Sequence, residues 1–183
     1  YESLTLLAQA DRLSGIKRRR QMLKVVANQR KLKRWAGFSP ENHLHRWYLV
    51  RAEYLRVCGK EERAVRFYDL AIDQAHKQGF IQDGALASEL AGRFYQKSGR
   101  GTMAGVYIEQ ALHLYNRWGA KAKARQLEEK HSVQLSGYRA KSISSQGIGA
   151  SRTPGTDSST KSDSLSAEAF DLDAVAKASR ALS

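Results

Sequence analysis

Four glycines divide the middle of this chain into segments of nearly equal length. Gly59 and Gly99 are forty residues apart, and so are Gly79 and Gly119. Each follows a stretch with apolar residues at spacings of three and four, and glycine just past a helix end accepts the left-handed backbone that closes the last turn. Only two prolines are present, Pro40 and Pro154, so helices between them are unobstructed. The pattern predicts helices over about 41–58, 61–78, 82–98, 102–118 and 120–133.

Other positions keep the same forty-residue offset: Ala52 with Gly92, Leu55 with Tyr95, Ala64 with Ala104, Phe67 with Tyr107, and Ala71 with Ala111. Small residues let paired helices approach closely, and the larger ones fill the space between successive pairs. The expectation is an all-α fold of antiparallel helix-hairpin repeats, a TPR-like (tetratricopeptide-like) solenoid with a repeat longer than the usual thirty-four residues. An irregular helical bundle is the alternative.

Ahead of the repeats, residues 1–37 read as an N-terminal helical pair, broken at Ser14-Gly15. The second helix, about 16–37, is expected to turn Ile16, Met22, Leu23, Val26, Ala27, Leu32 and Trp35 toward the core. The segment around it is basic: Arg12, Lys17, Arg18, Arg19, Arg20, Lys24, Arg30, Lys31, Lys33 and Arg34 fall between Asp11 and Glu41 without one acidic residue among them, and all but Arg12 lie on this helix, mostly between its apolar positions. Much of the net charge of +13 thus sits in one segment. Ser39 is expected to cap the next helix, with Pro40 at its first position, where the missing N–H does no harm.

The helical-repeat segment is placed at 38–135. A linker rich in Ser, Thr and Gly follows at 136–167, too poor in large apolar side chains to offset the entropy of ordering it, and therefore expected to be disordered. Residues 168–183 read as the start of a helix, with Leu172, Val175, Ala176, Ser179 and Leu182 on one stripe. It leads toward a module outside the sequence and offers a surface for dimerisation. The chain begins at Tyr1 rather than methionine and stops within that helical pattern, so it reads as a fragment.

Few sites for chemistry stand out. Ser98-Gly99-Arg100-Gly101-Thr102 is too short for a phosphate-binding loop and lacks its lysine. His43 and His45, two apart on a helix, point to different faces, and His76, His113 and His131 are isolated, so no metal site is assigned. Glu61-Glu62 and Glu128-Glu129 read as solvated charges at helix ends. Cys58, the single cysteine, is expected to be a buried thiol of the repeat core, and a lone cysteine excludes an internal disulfide framework. No stretch approaches the apolar length of a membrane span, and a cytoplasmic protein is expected. No catalytic, cofactor-binding or metal-binding residue is assigned.

Particular runs carry a resemblance. Val26 to Ala36, Glu41 to Trp47, Tyr68-Asp69-Leu70-Ala71-Ile72, Ala85 to Tyr95 and Arg117 to Lys123 together resemble the end of the helical-repeat region of large multi-sensor signalling kinases. Phe170 to Ser183 is similar to the helix that enters their GAF module. The resemblance implies a kinase-like module and an AAA-type ATPase upstream, and a GAF sensor with a histidine kinase downstream, as in two-component systems. It also implies that this segment is itself no enzyme, needs no cofactor, and couples the two halves by contact with other domains of the same chain. The alternatives are a free-standing TPR-like adaptor for protein partners and, with less in its favour, a basic nucleic-acid-binding helical protein. Against the last, the aromatic residues recur at core spacing rather than on the basic face.

Overall fold

The computed structural model describes residues 1–146, with side chains to residue 143. They form helices throughout: α1 (Glu2–Ala10), α2 (Gly15–Phe38), α3 (Pro40–Val57), α4 (Glu61–Lys77), α5 (Ile81–Lys97), α6 (Gly101–Arg117), α7 (Lys121–Lys130) and α8 (Ser132–Gln146). The fold of the described residues is all-α. The chain divides into two units, Tyr1–Arg139 and Ala140–Ser183; helices α1 to α7 and the start of α8 belong to the first.

One turn recurs after α3, α4, α5 and α6. Gly59, Gly79, Gly99 and Gly119 have φ of 71°, 74°, 74° and 88°. In each case the next residue donates its N–H back across the turn at 2.9 Å: Lys60 to Leu55, Phe80 to Ala75, Arg100 to Tyr95 and Ala120 to Tyr115. This is the Schellman closure, which satisfies carbonyls left open at a helix end. The turn therefore repeats every twenty residues, once per helix, and the forty-residue interval spans two helices. Ser39 flanks α3 and Pro40 begins it, but Ser39 makes no side-chain cap; its hydroxyl donates to the Glu41 carboxylate and accepts from Asn42 Nδ2 at 2.8 Å.

Each helix from α1 to α6 packs on its successor, most extensively in the pairs α3/α4 and α5/α6, and alternate helices also meet, α1 on α3 and α3 on α5. The positions related by the forty-residue offset face the interior. Ala52, Gly92, Leu55, Tyr95, Ala64, Ala104, Tyr107, Ala71 and Ala111 are buried and Phe67 is half-buried. The rings of Tyr68, Phe94, Tyr95 and Tyr107 form a continuous row across α4, α5 and α6, with centroids 5.7, 5.3 and 5.2 Å apart. The three pairs are tilted, edge-on and stacked in turn, and aromatic pairs add about 0.5–1.5 kcal/mol each beyond the area they bury. A separate apolar cluster of Leu7, Ala10, Val25, Val50 and Val57 joins α1, α2 and α3.

The structure changes the reading of α2. Its buried residues are Val25, Gln29 and Ala36, with Met22 and Leu32 half-buried, a row at spacings of three and four. Ile16, Leu23, Ala27 and Trp35, expected to face inward, are exposed. The sequence offers two apolar rows on this helix, and the one that meets Leu7 and Val50 is the row centred on Val25. Gln29 enters the interior because its Nε2 donates to the Trp47 carbonyl at 3.3 Å.

The end of the stretch expected to hold the repeats differs as well. The expected helix over 120–133 breaks at His131, and α8 then runs through 136–146, the first part of the stretch assigned by composition to the linker. Leu135 anchors its start, fully buried against Leu127 and Ile108 in the cluster that closes α5, α6 and α7. The remainder of the linker and the helix expected over 168–183 lie outside the described residues.

Candidate functional site

Three carboxylates lie inside the first unit, each with relative exposure of 5% or less: Glu53, Asp83 and Glu89. Burying a charge is costly unless it is paired and hydrogen-bonded, and each of the three has gathered donors from other helices or from its own.

Asp83, in the first turn of α5, is the most connected. Its Oδ2 accepts from His45 Nε2 at 2.8 Å and from Arg46 Nε at 2.9 Å, both on α3, and its Oδ1 accepts from the Tyr1 hydroxyl at 2.8 Å. The His45 ring stacks on Phe80 with centroids 4.4 Å apart. Burial alone would raise the Asp83 carboxyl, but the bonds from His45, Arg46 and Tyr1 outweigh it and hold the group at about 2. One carboxylate thus ties the chain's first residue, α3 and α5 together.

Glu89, further along α5, takes hydrogen bonds from Arg93 one turn on, from the Tyr115 hydroxyl of α6 at 2.7 Å, and from Lys123 of α7 at 3.0 Å. Burial opposes ionisation there too and is overcome by Tyr115, Arg93 and Lys123, so the carboxyl stays below its ordinary value. Glu53 accepts the Tyr68 hydroxyl of α4 and Arg56 Nε at 3.0 Å; Arg56 continues to Asp11 at 2.9 Å. Burial and then the charge of Glu53 push the Tyr68 phenol well above its usual range. The half-buried Asp69 accepts the Tyr107 hydroxyl at 2.6 Å, joining α4 to α6; burial raises its carboxyl, against the pull of that bond.

His131 is the exception, buried between α7 and α8 with a hydrogen-bond partner on neither ring nitrogen. Burial, and then the nearby positive charge of Arg93 and Lys130, lower its imidazole below the ordinary value.

The structure separates most of the residues weighed for chemistry. His43 lies beside Trp35, with ring centroids 5.8 Å apart, while His45 turns inward to Asp83. His76 and His113 are exposed, as are Glu61, Glu62, Glu128 and Glu129. Among the described residues no group of three His, Cys, Asp or Glu side chains could hold a metal ion. Gly99 closes α5 and Gly101 opens α6, so the run Ser98–Thr102 is a helix-to-helix turn.

Cys58 is a correction. It follows the last residue of α3 and is exposed rather than buried in the core, because the chain turns outward there into the left-handed Gly59. It lies in a shallow groove with Arg18, Met22 and Tyr54.

The basic character of α2 is a surface property. Arg19, Arg20, Arg30, Lys31 and Arg34 are exposed and make no ion pair with any described residue. Arg18 instead donates to the Val57 carbonyl at 2.9 Å, Lys24 pairs with Glu2, and Lys33 lies over the Trp47 ring. No helix of the described residues is long and apolar enough to cross a membrane. No family model matches the chain, and no curated protein or solved structure matches it either.

Proposed function

We propose that the chain is a non-catalytic, signal-transmitting scaffold: a TPR-like stack of helix hairpins, within a larger cytoplasmic signalling kinase, that couples an ATPase or kinase-like half to a GAF and histidine-kinase half. The observation that carries this reading is the position of Asp83, whose two oxygens hold Tyr1, α3 and α5 at once. Asp69 and Tyr107 do the same for α4 and α6. Ties between alternate helices make a stack behave as one body, which a coupling element needs, and the recurrent Schellman turns supply the regular spacing of a repeat array. The buried carboxylates are occupied by donors that link helices, an arrangement suited to holding rather than to proton transfer.

The sequence on either side of this segment in its coding frame tests the reading. An ATP-binding module upstream and a sensor with a phosphoacceptor histidine downstream are expected. A start codon just before Tyr1 and a stop soon after Ser183 would overturn it. The second reading, a free-standing adaptor for protein partners, would then take its place; it is favoured by the exposed Ile16, Leu23 and Phe38 on α2, which are 82%, 63% and 84% accessible.

A further inference from the structure

The exposed face of α2 has an ordered pattern. Ile16, Arg20, Leu23, Arg30, Arg34 and Phe38 follow one another at helical spacing and share a single stripe, with Ala27 at its centre. The helix is 24 residues long, about 36 Å, and contains no acidic residue. Apolar side chains and unpaired guanidinium groups are therefore interspersed along one line, with Ile16, Leu23 and Phe38 each more than half exposed.

We infer that this stripe is a docking surface for an acidic amphipathic helix of a partner protein. Such a helix brings apolar side chains to cover Ile16, Leu23 and Phe38 and carboxylates to meet Arg20, Arg30 and Arg34, in the manner of a mixed coiled-coil seam. Other occupants match less of the stripe. A second copy would set the same cations against each other. A nucleic acid offers phosphates to the arginines but leaves Ile16 and Leu23 uncovered. A lipid surface would take the apolar side chains only by drawing in guanidinium groups from the same line. The inference holds whether the chain is a module of a kinase or a free adaptor, so its failure leaves the scaffold reading standing.

The test titrates the full 183-residue chain into a fluorescent synthetic helix. The probe is a monomeric peptide of about 24 residues, long enough to match α2, with leucines along one stripe and glutamates beside it. Parallel titrations use the same peptide with lysine for glutamate, a DNA duplex, and vesicles rich in phosphatidylserine. The acidic peptide is expected to bind with micromolar affinity and the lysine peptide not to bind. Two surface variants, Ile16→Ser with Leu23→Ser and Arg20→Glu with Arg30→Glu, should each weaken binding roughly tenfold, with helicity by circular dichroism unchanged. No binding of the acidic peptide overturns the proposal. So does binding that the serine variant leaves intact, which would mark a general polyanion site, or tighter binding to the duplex or the vesicles.

Discussion

Asp83 Oδ2 lies 2.8 Å from His45 Nε2, and this bond joins α5 to α3 across thirty-eight residues of chain at a site only 3% exposed. With Arg46 and Tyr1 as further donors, the carboxylate is held at about 2. The unfolded chain takes up a proton near the ordinary carboxylate value of about 3.9, before the folded chain does. The group's contribution is thus complete above that value and is lost as pH falls toward 2, a stabilisation of about 2 kcal/mol at neutral pH. Asp83→Asn should lower stability in urea by about 2–3 kcal/mol at neutral pH and remove part of the acid dependence. Equal stability of variant and wild type at neutral pH would show that the network does not hold the helices.

His131 also costs stability as pH falls, but through burial of an unpaired imidazole rather than loss of a paired charge. Burial and then the cations Arg93 and Lys130 hold its imidazole below the ordinary value in the folded chain, while the unfolded chain protonates it near about 6.5. Stability should therefore be full above that pH and decline below it, in a window above that of the carboxylates. Replacement by phenylalanine removes two unpaired buried nitrogens at similar volume. His131→Phe is expected to be at least as stable as wild type at neutral pH and to flatten the decline below about pH 6.5. Denaturation midpoints across that range decide it, and an unchanged slope would remove His131 as the cause.

Two interior glycines separate packing from propensity. A Cβ on Gly92 would lie 2.6 Å from Ile108 Cδ1; a Cβ on Gly105 would lie 2.5 Å from Tyr138 Cβ and 2.9 Å from the Gln134 carbonyl oxygen. In a helix interior alanine is otherwise favoured over glycine by about 1 kcal/mol. The Ile108 side chain is rotatable, though enclosed, whereas the α8 backbone is not. Gly105→Ala should therefore cost more than Gly92→Ala, about 2–3 kcal/mol against about 1 kcal/mol. Thermal unfolding of the two variants reads the order directly, and a stabilised Gly105→Ala would show that α8 does not press on α6.

The helices α3 to α6 are legible in the sequence because their punctuation is local. Gly59, Gly79, Gly99 and Gly119 each sit two residues beyond the last residue of a helix, and the structure gives all four the positive φ their placement implies. The small residues Ala64, Ala71, Ala104 and Ala111 are readable as close-approach positions because they recur at a forty-residue offset, and all four are buried.

The face of α2 is not legible, because two apolar rows compete on it and only the neighbours Leu7 and Val50 decide between Val25 and Leu23. Choosing the wrong row also hides a property of the surface: with Trp35 half-exposed and Phe38 exposed beside Arg34, apolar residues do lie on the basic face. The interior carboxylates are hidden for a related reason. Glu53, Asp83 and Glu89 look like ordinary helix-surface charges until residues 15 to 82 positions away arrive as donors. His131 gives no signal beyond its isolation, and the apolar spacing around Cys58 points inward although the turn at Gly59 carries the thiol outward.

The central claim, that alternate-helix ties make the stack one transmitting body, is tested most directly by native-state hydrogen exchange followed residue by residue in low denaturant. Amides of α1, α3 and α5 should lose protection together, with a common opening free energy and a common denaturant dependence, and Asp83→Asn should split α1 from the rest. If α1 and α2 already open as a separate unit in the wild-type chain while α3 to α6 stay protected, the ties do not couple the helices and the scaffold account fails.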